Sequence, residues 1–407
     1  MKPRRVVITG LGALTPIGNT LPTYWEGLLS GASGAAPITH FDASKFKTKF
    51  ACEVKDFDPL DFLDRKEARK CDRFTQYALV TTDEAIKDAG LDFDKLDKDR
   101  IGVIWGAGIG GLETFQNEVL NFANGNGSPR FNPFFIPKII SDIAPGLISI
   151  KHELRGPNFA TVSACASSYN AMIDSLNYIR MGYADMIVSG GSAAPVTIAG
   201  IGGFNGMHAL STRNDDPKTA SRPFDKDRDG FVLGEGAGAL ILEEYEHAKA
   251  RGAKMYAELA GGGLSADAHH MTAPHPGGIG AKKVMMNCLG DADLKPEDID
   301  AINMHGTSTQ LGDIAEANAV KAVFGDHSYK ININSTKSMT GHLLGAAGAI
   351  EAIASIMAIQ NNVVPPTINH HTADDRLDPK LNFTFGKAQK RKIDVVLSNT
   401  FGFGGHY

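Results

Sequence analysis

A chain of 407 residues with 43% hydrophobic content can bury a large core, as two domains or one fused one. Its net charge of −5 excludes a global basic footprint for nucleic acid. The four cysteines, Cys52, Cys71, Cys165 and Cys288, show neither metal spacing nor a disulfide pattern, which fits a reducing, cytoplasmic setting.

In chain order, RRVVITG (4–10) is the first short β-branched run and reads as a buried strand. The N-terminal MKPRRVVITGLG lacks a secretory apolar core, because Thr9, Gly10 and Gly12 break it. DRKEARKCDRF (64–74) reads as one helix with Lys66, Arg69, Lys70 and Arg73 on one face at i, i+3, i+4, i+7 spacing. QYALVTTDEAIKDAG (76–90) is an apolar helix, and RIGVIWG (100–106) is the next strand. GAGIGG (106–111) and LGEGAGAL (233–240) match dinucleotide fingerprints. The first lacks the acid about 20 residues on, and the second runs into a strand, so both read as tight turns. The loop NFANGNGSPRFNPFF (121–135) is a candidate lid or interface segment.

FATVSA then enters a turn, and SSYNAMIDSLNYIR leaves it as a helix, which puts Cys165 at the turn among small residues. There the helix N-terminus predicts a lowered thiol pKa and N–H groups able to hold an oxyanion. The alternative is a packed core cysteine. Further strands are expected at 184–191, 238–244, 300–306, 330–335 and 394–400, with helices at 170–182, 280–292, 313–325 and 346–360. This alternation predicts α/β layers. No window approaches the roughly 18 apolar residues of a membrane span.

DKDRDGFVLGE (225–235) falls out of register with a calcium loop at its last position, and no metal is expected there. His269, His270 and His275 read as a polar loop facing a pocket. In NMHGTSTQLGDIAEA (303–317), His305 ends a strand, and Asp313 with Glu316 resembles a capping box. In NSTKSMTGHLLGAAGAIEA (334–352), Lys337 and His342 flank a long apolar helix. A histidine at a helix N-terminus stays neutral and can donate to a carbonyl oxygen. Glu351 is a candidate partner for Lys337. One cysteine, two imidazoles and a lysine favour carbon–carbon bond formation over thioester hydrolysis.

T-V-S-A-C-A-S-S, M-H-G-T-S-T-x-x-G-D and K-S-M-T-G-H-L-L-G-A-A-G resemble motifs of the β-ketoacyl-acyl-carrier-protein synthases, and the likeness is strongest to the elongating type II branch. S-R-P-F-D-K-D-R-D-G-F-V-L-G-E-G-A-G (221–238) and S-N-T-F-G-F-G-G (398–405) extend the resemblance to essentially the whole chain. It implies a thiolase-like αβαβα fold of five layers from two related halves, residues 1–251 and 252–407, assembled as a homodimer. It implies Cys165 as the acylated nucleophile, His305 and His342 as promoters of malonyl decarboxylation, Lys337 as their electrostatic support and Glu351 beside it. Phe403 would gate the pocket, with Phe401 as a supporting residue. The Phe403 N–H would join that of Cys165 in an oxyanion hole. Thr272, Thr307 and Thr309 would line the pantetheine tunnel, and Ile109 and Phe134 the acyl pocket.

The partner implied is an acidic acyl carrier protein, docking on Lys66, Arg69, Lys70 and Arg73. No organic cofactor, membrane or nucleic acid is implied, although Ser398 and Asn399 are a candidate position for a monovalent cation. The family commonly has an arginine where this chain has His208, which would make docking pH-dependent. It also continues T-N and a final strand where this chain reads His406 and Tyr407. That departure predicts a cut end or a sheet short of an edge strand. Two alternatives remain at this stage, a polyketide-type ketosynthase and a non-catalytic partner subunit. The presence of Cys165 counts against the second.

Overall fold

The computed structural model describes residues 3–125 and 127–407. Met1, Lys2 and Asn126 of the N-terminal and loop segments singled out above lie outside the described residues.

The first half, joined by one short strand from just beyond residue 252, builds a six-stranded sheet. Its members are β1 (Val6–Leu14), β4 (Ile101–Gly106), β5 (Asn158–Thr161), β6 (Met186–Ala193), β7 (Gly236–Glu244) and β8 (Ala257–Glu258), in the order β5-β4-β6-β7-β1-β8. The β4 strand runs parallel to β5 and β6, whereas β7 is antiparallel to β6 and β1. Every residue of β1, β4, β6 and β7 is buried, as expected of strands covered on both faces. The second sheet is parallel and three-stranded, with β9 (Ala301–Asn303) between β10 (Asn332–Asn334) and β13 (Val396–Ser398). Two ribbons, β2 (Ala36–Pro37) with β3 (Phe50–Ala51) and β11 (Val363–Val364) with β12 (Gln389–Lys390), complete the strands.

Helices fill the layers between and outside the sheets. Leu79, Ala85 and Ile86 of α3 (Arg73–Asp88) and Ile148 of α6 (Ile143–His152) pack with Val103, Trp105 and Val188 on one face of the large sheet. On its other face lie α1 (Leu21–Ser30), α7 (Ser167–Arg180) and α13 (Ala347–Asn361), whose Leu28, Met172, Leu176, Ile350 and Ile353 share a core with Leu240 and Leu242. Contacts of α13 with β13 carry this middle layer onto the second sheet. That sheet's outer side is closed by α10 (Ile279–Ala292) and α11 (Gly312–Phe324), through Met285, Leu289 and Val320 against Ile302 and Ile333. The sequence of layers is helix, sheet, helix, sheet, helix, the thiolase-like five-layer architecture.

Residues Leu344–Asn361 have the length and hydropathy of a membrane-crossing helix, contrary to the sequence expectation. About two thirds of that span (67%) is buried inside the protein, so its apolarity serves the middle layer. The shorter α2 (Arg65–Lys70), α4 (Leu112–Asn124), α5 (Phe135–Ile139), α8 (Ile198–Gly206), α9 (Tyr245–Ala250) and α12 (Lys337–Thr340) lie around this frame. Chain ends meet the core at Tyr407, which is buried and donates its hydroxyl to Asp267 Oδ2 at 2.9 Å.

Candidate active site

Cys165 lies in a single 3₁₀ turn, Ala164–Ala166, between the end of β5 and the start of α7. Ala164 takes a left-handed φ of 52°, a strained conformation for a residue with a side chain. The turn is held by its serines. Ser167 donates its hydroxyl to Ala164 O at 2.7 Å and accepts from Ser163 N, and Asn170 donates to Ser163 Oγ. Thr400 reaches in from the C-terminal half and donates to Cys165 O at 3.0 Å. Small residues are required by the packing: a Cβ on Gly345 would stand 2.5 Å from Gly108 N, and one on Gly402 would stand 2.7 Å from Ser163 O.

His342 precedes the turn that opens α13, and its Nε2 lies 3.0 Å from Cys165 Sγ. Its backbone is clamped by the strand-like segment 232–234, through His342 N to Val232 O and Gly234 N to His342 O. His305 follows β9 and stands edge-on to His342, ring centroids 5.3 Å apart at 88°. Lys337 opens α12, is buried, and donates its ammonium to the equally buried Glu351 on α13, the partner the sequence singled out. Backbone N–H groups of Phe403 and Cys165 point at the sulfur.

The electrostatics correct one expectation. The Cys165 thiol is not lowered by its helix: burial pushes it up to about 12, and the Lys337 ammonium offsets only part of that. Both imidazoles are held well below the ordinary histidine value, first by burial and then by the same ammonium. Burial also lifts the Glu351 carboxyl to about 7, with Lys337 pulling the other way. The resting site therefore holds a neutral thiol against neutral imidazoles, beside one fixed cation. Neutral imidazoles can donate to a developing oxyanion, and the two N–H groups at the sulfur can hold another.

Models of the beta-ketoacyl synthase N-terminal and C-terminal domains match residues 3–248 and 256–371. The chain belongs to the beta-ketoacyl synthase family. It is 50% identical over 406 residues to a 3-oxoacyl-[acyl-carrier-protein] synthase 2 of Synechocystis, covering 100% of this chain and 97% of that one. A synthase of the same name from Coxiella burnetii is 49% identical over 405 residues, covering 100% and 97%. Among solved structures, a type II PKS acyl-carrier protein in complex with its ketosynthase bound to the hexaketide matches at a TM-score of 0.90 and 34% identity, covering 99% of this chain and 97% of that one.

A cavity of about 490 Å³ opens onto this synthase's cysteine and histidines, and Ile109, Thr272, Thr307, Thr309, Phe401 and Phe403 all line it. Thr307 and Thr309 hydroxyls lie 3.2 Å apart on its wall, His208 and Met207 form part of its lining, and so does His270. Phe134 does not line it: the ring is exposed, 5.8 Å from the Lys70 ammonium. The segment around it turns outward instead, where Phe122, Phe131 and Phe135 stack along the surface at 5.6 and 5.5 Å.

Arg73 leaves the expected docking face as well. Asp72 caps a new helix, so the chain bends between α2 and α3. Arg73 turns inward to Glu113 at 2.9 Å and toward the buried Glu235 at 3.8 Å. Lys66, Arg69 and Lys70 remain exposed on α2.

Asp313 and Glu316 form no capping box, since Leu311 at the N-cap of α11 offers no side-chain bond. Glu316 accepts from the backbone N–H groups of His305 and Gly306 at 2.8 and 2.9 Å, and from Asn399 Nδ2 at 3.1 Å. Burial pushes its carboxyl up to about 7. This second support of His305 was hidden because two acids three residues apart at a helix start already have an ordinary explanation. Ser398 Oγ lies 3.5 Å from Asn303 O. Among the described residues, no group of three or more His, Cys, Asp or Glu side chains could hold a metal ion.

Proposed function

We propose that the chain is an elongating condensing enzyme that builds 3-oxoacyl thioesters on an acyl carrier protein in fatty acid biosynthesis. The observation carrying this reading is the 3.0 Å contact of Cys165 Sγ with His342, completed by a second neutral imidazole at right angles to it. In the first half-reaction, Cys165 sulfur attacks the thioester carbonyl of the acyl carrier. The oxyanion takes hydrogen bonds from the Cys165 and Phe403 N–H groups. The C–S bond to the carrier then breaks, and the carrier thiol leaves with the proton that Cys165 loses through His342.

In the second half-reaction, a malonyl thioester loses CO2. The electron pair of the broken C–C bond forms an enolate whose oxygen receives the N–H groups of His305 and His342. The α-carbon attacks the acyl-Cys165 carbonyl, the new C–C bond forms, and sulfur leaves and takes up one proton. Burial first, and then Lys337 held by Glu351, keeps both imidazoles neutral, and the ammonium stabilises the enolate charge. A hydrolase would need a positioned water and has no use for the second imidazole.

Thr272, Thr307 and Thr309 contact the pantetheine arm, Ile109 borders the acyl chain, and the exposed Lys66, Arg69 and Lys70 receive the acidic carrier. The chain acts as a homodimer in the cytoplasm, with its halves divided near residue 252. The test is malonyl-carrier decarboxylation by His305→Ala and His342→Ala, which leave no side-chain donor. Each is expected to fall by about 10²-fold or more, the cost of losing one oxyanion donor. Decarboxylation at the wild-type rate in both would contradict the assignment.

A further inference from the structure

The segment 222–230, which overlaps the 225–235 stretch that falls out of register with a calcium loop, has no part in the chemistry above. At its centre, Arg228 is wholly buried. Its Nε donates to Thr309 O at 2.8 Å and its Nη2 to Gln310 O at 2.9 Å. Its Nη1 donates to Asp225 O at 2.6 Å and Asp374 Oδ2 at 2.7 Å, and Asp313 lies 3.4 Å from Nε. The same motif reaches the turn at further points. Arg222 N donates to Ser308 Oγ at 3.0 Å and Gly230 N to Ser308 O at 3.2 Å. Asp313 accepts from Phe224 N and Thr309 N.

The turn so held is an unfavourable one. Ser308 has a left-handed φ of 69°, which persists only where the surroundings over-determine it. Thr307 and Thr309 stand on either side of Ser308 and both line the cavity. A buried guanidinium with two carboxylates is a poor stabiliser compared with an apolar filling. Its distinctive property is a planar fork that fixes two successive carbonyls at once. Those carbonyls belong to Thr309 and Gln310, so the fork sets the peptide plane on which the Thr309 side chain stands.

We propose that Arg228 is a positioning residue for the substrate arm: it acts through the 307–310 turn to present the Thr309 hydroxyl to the amide groups of a pantetheine thioester. This rests on the function proposed above, since the arm is what the two threonines meet.

The experiment compares malonyl-pantetheine with a malonyl ethyl thioester, which lacks the arm, as extender for wild type, Arg228→Lys, Thr309→Val and the double variant. Lysine keeps the charge and loses the fork. In Arg228→Lys the KM for the pantetheine thioester is expected to rise about tenfold with kcat falling less than twofold, the pattern of lost uniform binding. The preference for the arm-bearing thioester, as a ratio of kcat/KM values, falls by the same factor. In the Thr309→Val background, Arg228→Lys then adds less than twofold, as two residues acting through one contact require.

An equal loss on both thioesters, an unaltered KM, or multiplicative effects in the double variant would overturn the proposal while leaving the enzyme's function intact. A wild type that condenses neither thioester, and no carrier-bound substrate, would overturn the functional reading itself. If Arg228→Lys does not fold, Asp374→Asn, which loosens the Nη1 anchor, should lower the arm preference two- to threefold; an equal loss on both thioesters there would count against the proposal.

Discussion

Cys165 and its two histidines show how far residue types alone carry a mechanism. A cysteine at a strand-to-helix turn, two histidines before apolar helices and a lysine with a glutamate 14 residues on were visible in the sequence, but the turn alone left nucleophile and core cysteine open, and the family resemblance gave the residues their roles. The direction of the thiol's shift was not readable, because the same turn that offers a helix N-terminus also buries the sulfur, and burial wins. A thiol raised to about 12 is protonated across the working range, and sulfur becomes nucleophilic only as His342 takes the proton. Iodoacetamide alkylation of Cys165, followed by peptide mass against pH, should therefore show no inflection between pH 8 and 9, where an ordinary thiol titrates at about 8.5. An inflection near 8.5 would mean a free, solvated thiol. On the acid side, both imidazoles stay neutral until well below their usual value, so NMR of the two rings should show no imidazolium forming as pH falls through 6.5; an imidazolium appearing there would contradict the buried, neutral pair.

At the scale of elements, strongly periodic segments were legible and quiet ones were not. The buried strands β1, β4, β6 and β7 and the helices α3, α7, α10, α11 and α13 lie where apolar runs put them. The helix α8, with four glycines in IAGIGGFNG, carries little propensity or period. The bend between α2 and α3 depends on Asp72, whose carboxylate caps one helix and accepts from Thr114 of α4 at 2.9 and 2.6 Å. That tertiary bond cannot be seen in a local pattern, and it is what removes Arg73 from the docking face. The junction of β4 with α7 tolerates no side chain: a Cβ on Gly106 would stand 2.5 Å from Ser168 Cα. Gly106→Ala should push α7 and its cysteine turn outward, lowering stability by about 1–3 kcal/mol and acylation by more than the loss of folded protein accounts for. Thermal melting with acylation rates measured on the folded fraction checks this; a wild-type rate and melting temperature would contradict it.

For the whole molecule, the large sheet ends on β5 at one edge and β8 at the other. Val162, just beyond β5, is 62% exposed. The stacked aromatic row of α4 and α5, with Phe115, Phe131 and Ile136 exposed, adds further apolar surface. Exposed edges and patches of this kind are ordinarily covered, and in the homodimer proposed above a second copy would cover this one symmetrically through β5. Val162→Asp should therefore turn a dimer into a monomer in sedimentation equilibrium. Wild type that sediments as a monomer would refute the homodimer. The outward course of Phe134 fits the same proposal, since a single chain's hydrophobic pattern does not distinguish a pocket wall from an interface.

The central claim is that Cys165 carries the acyl group that the histidines then condense. Intact mass of the protein after incubation with an acyl carrier, wild type beside Cys165→Ala, tests it most directly. An acyl adduct on wild type alone, discharged by the malonyl carrier as a 3-oxoacyl product, is the expected result. No adduct at any chain length, or one that water alone discharges, would contradict it.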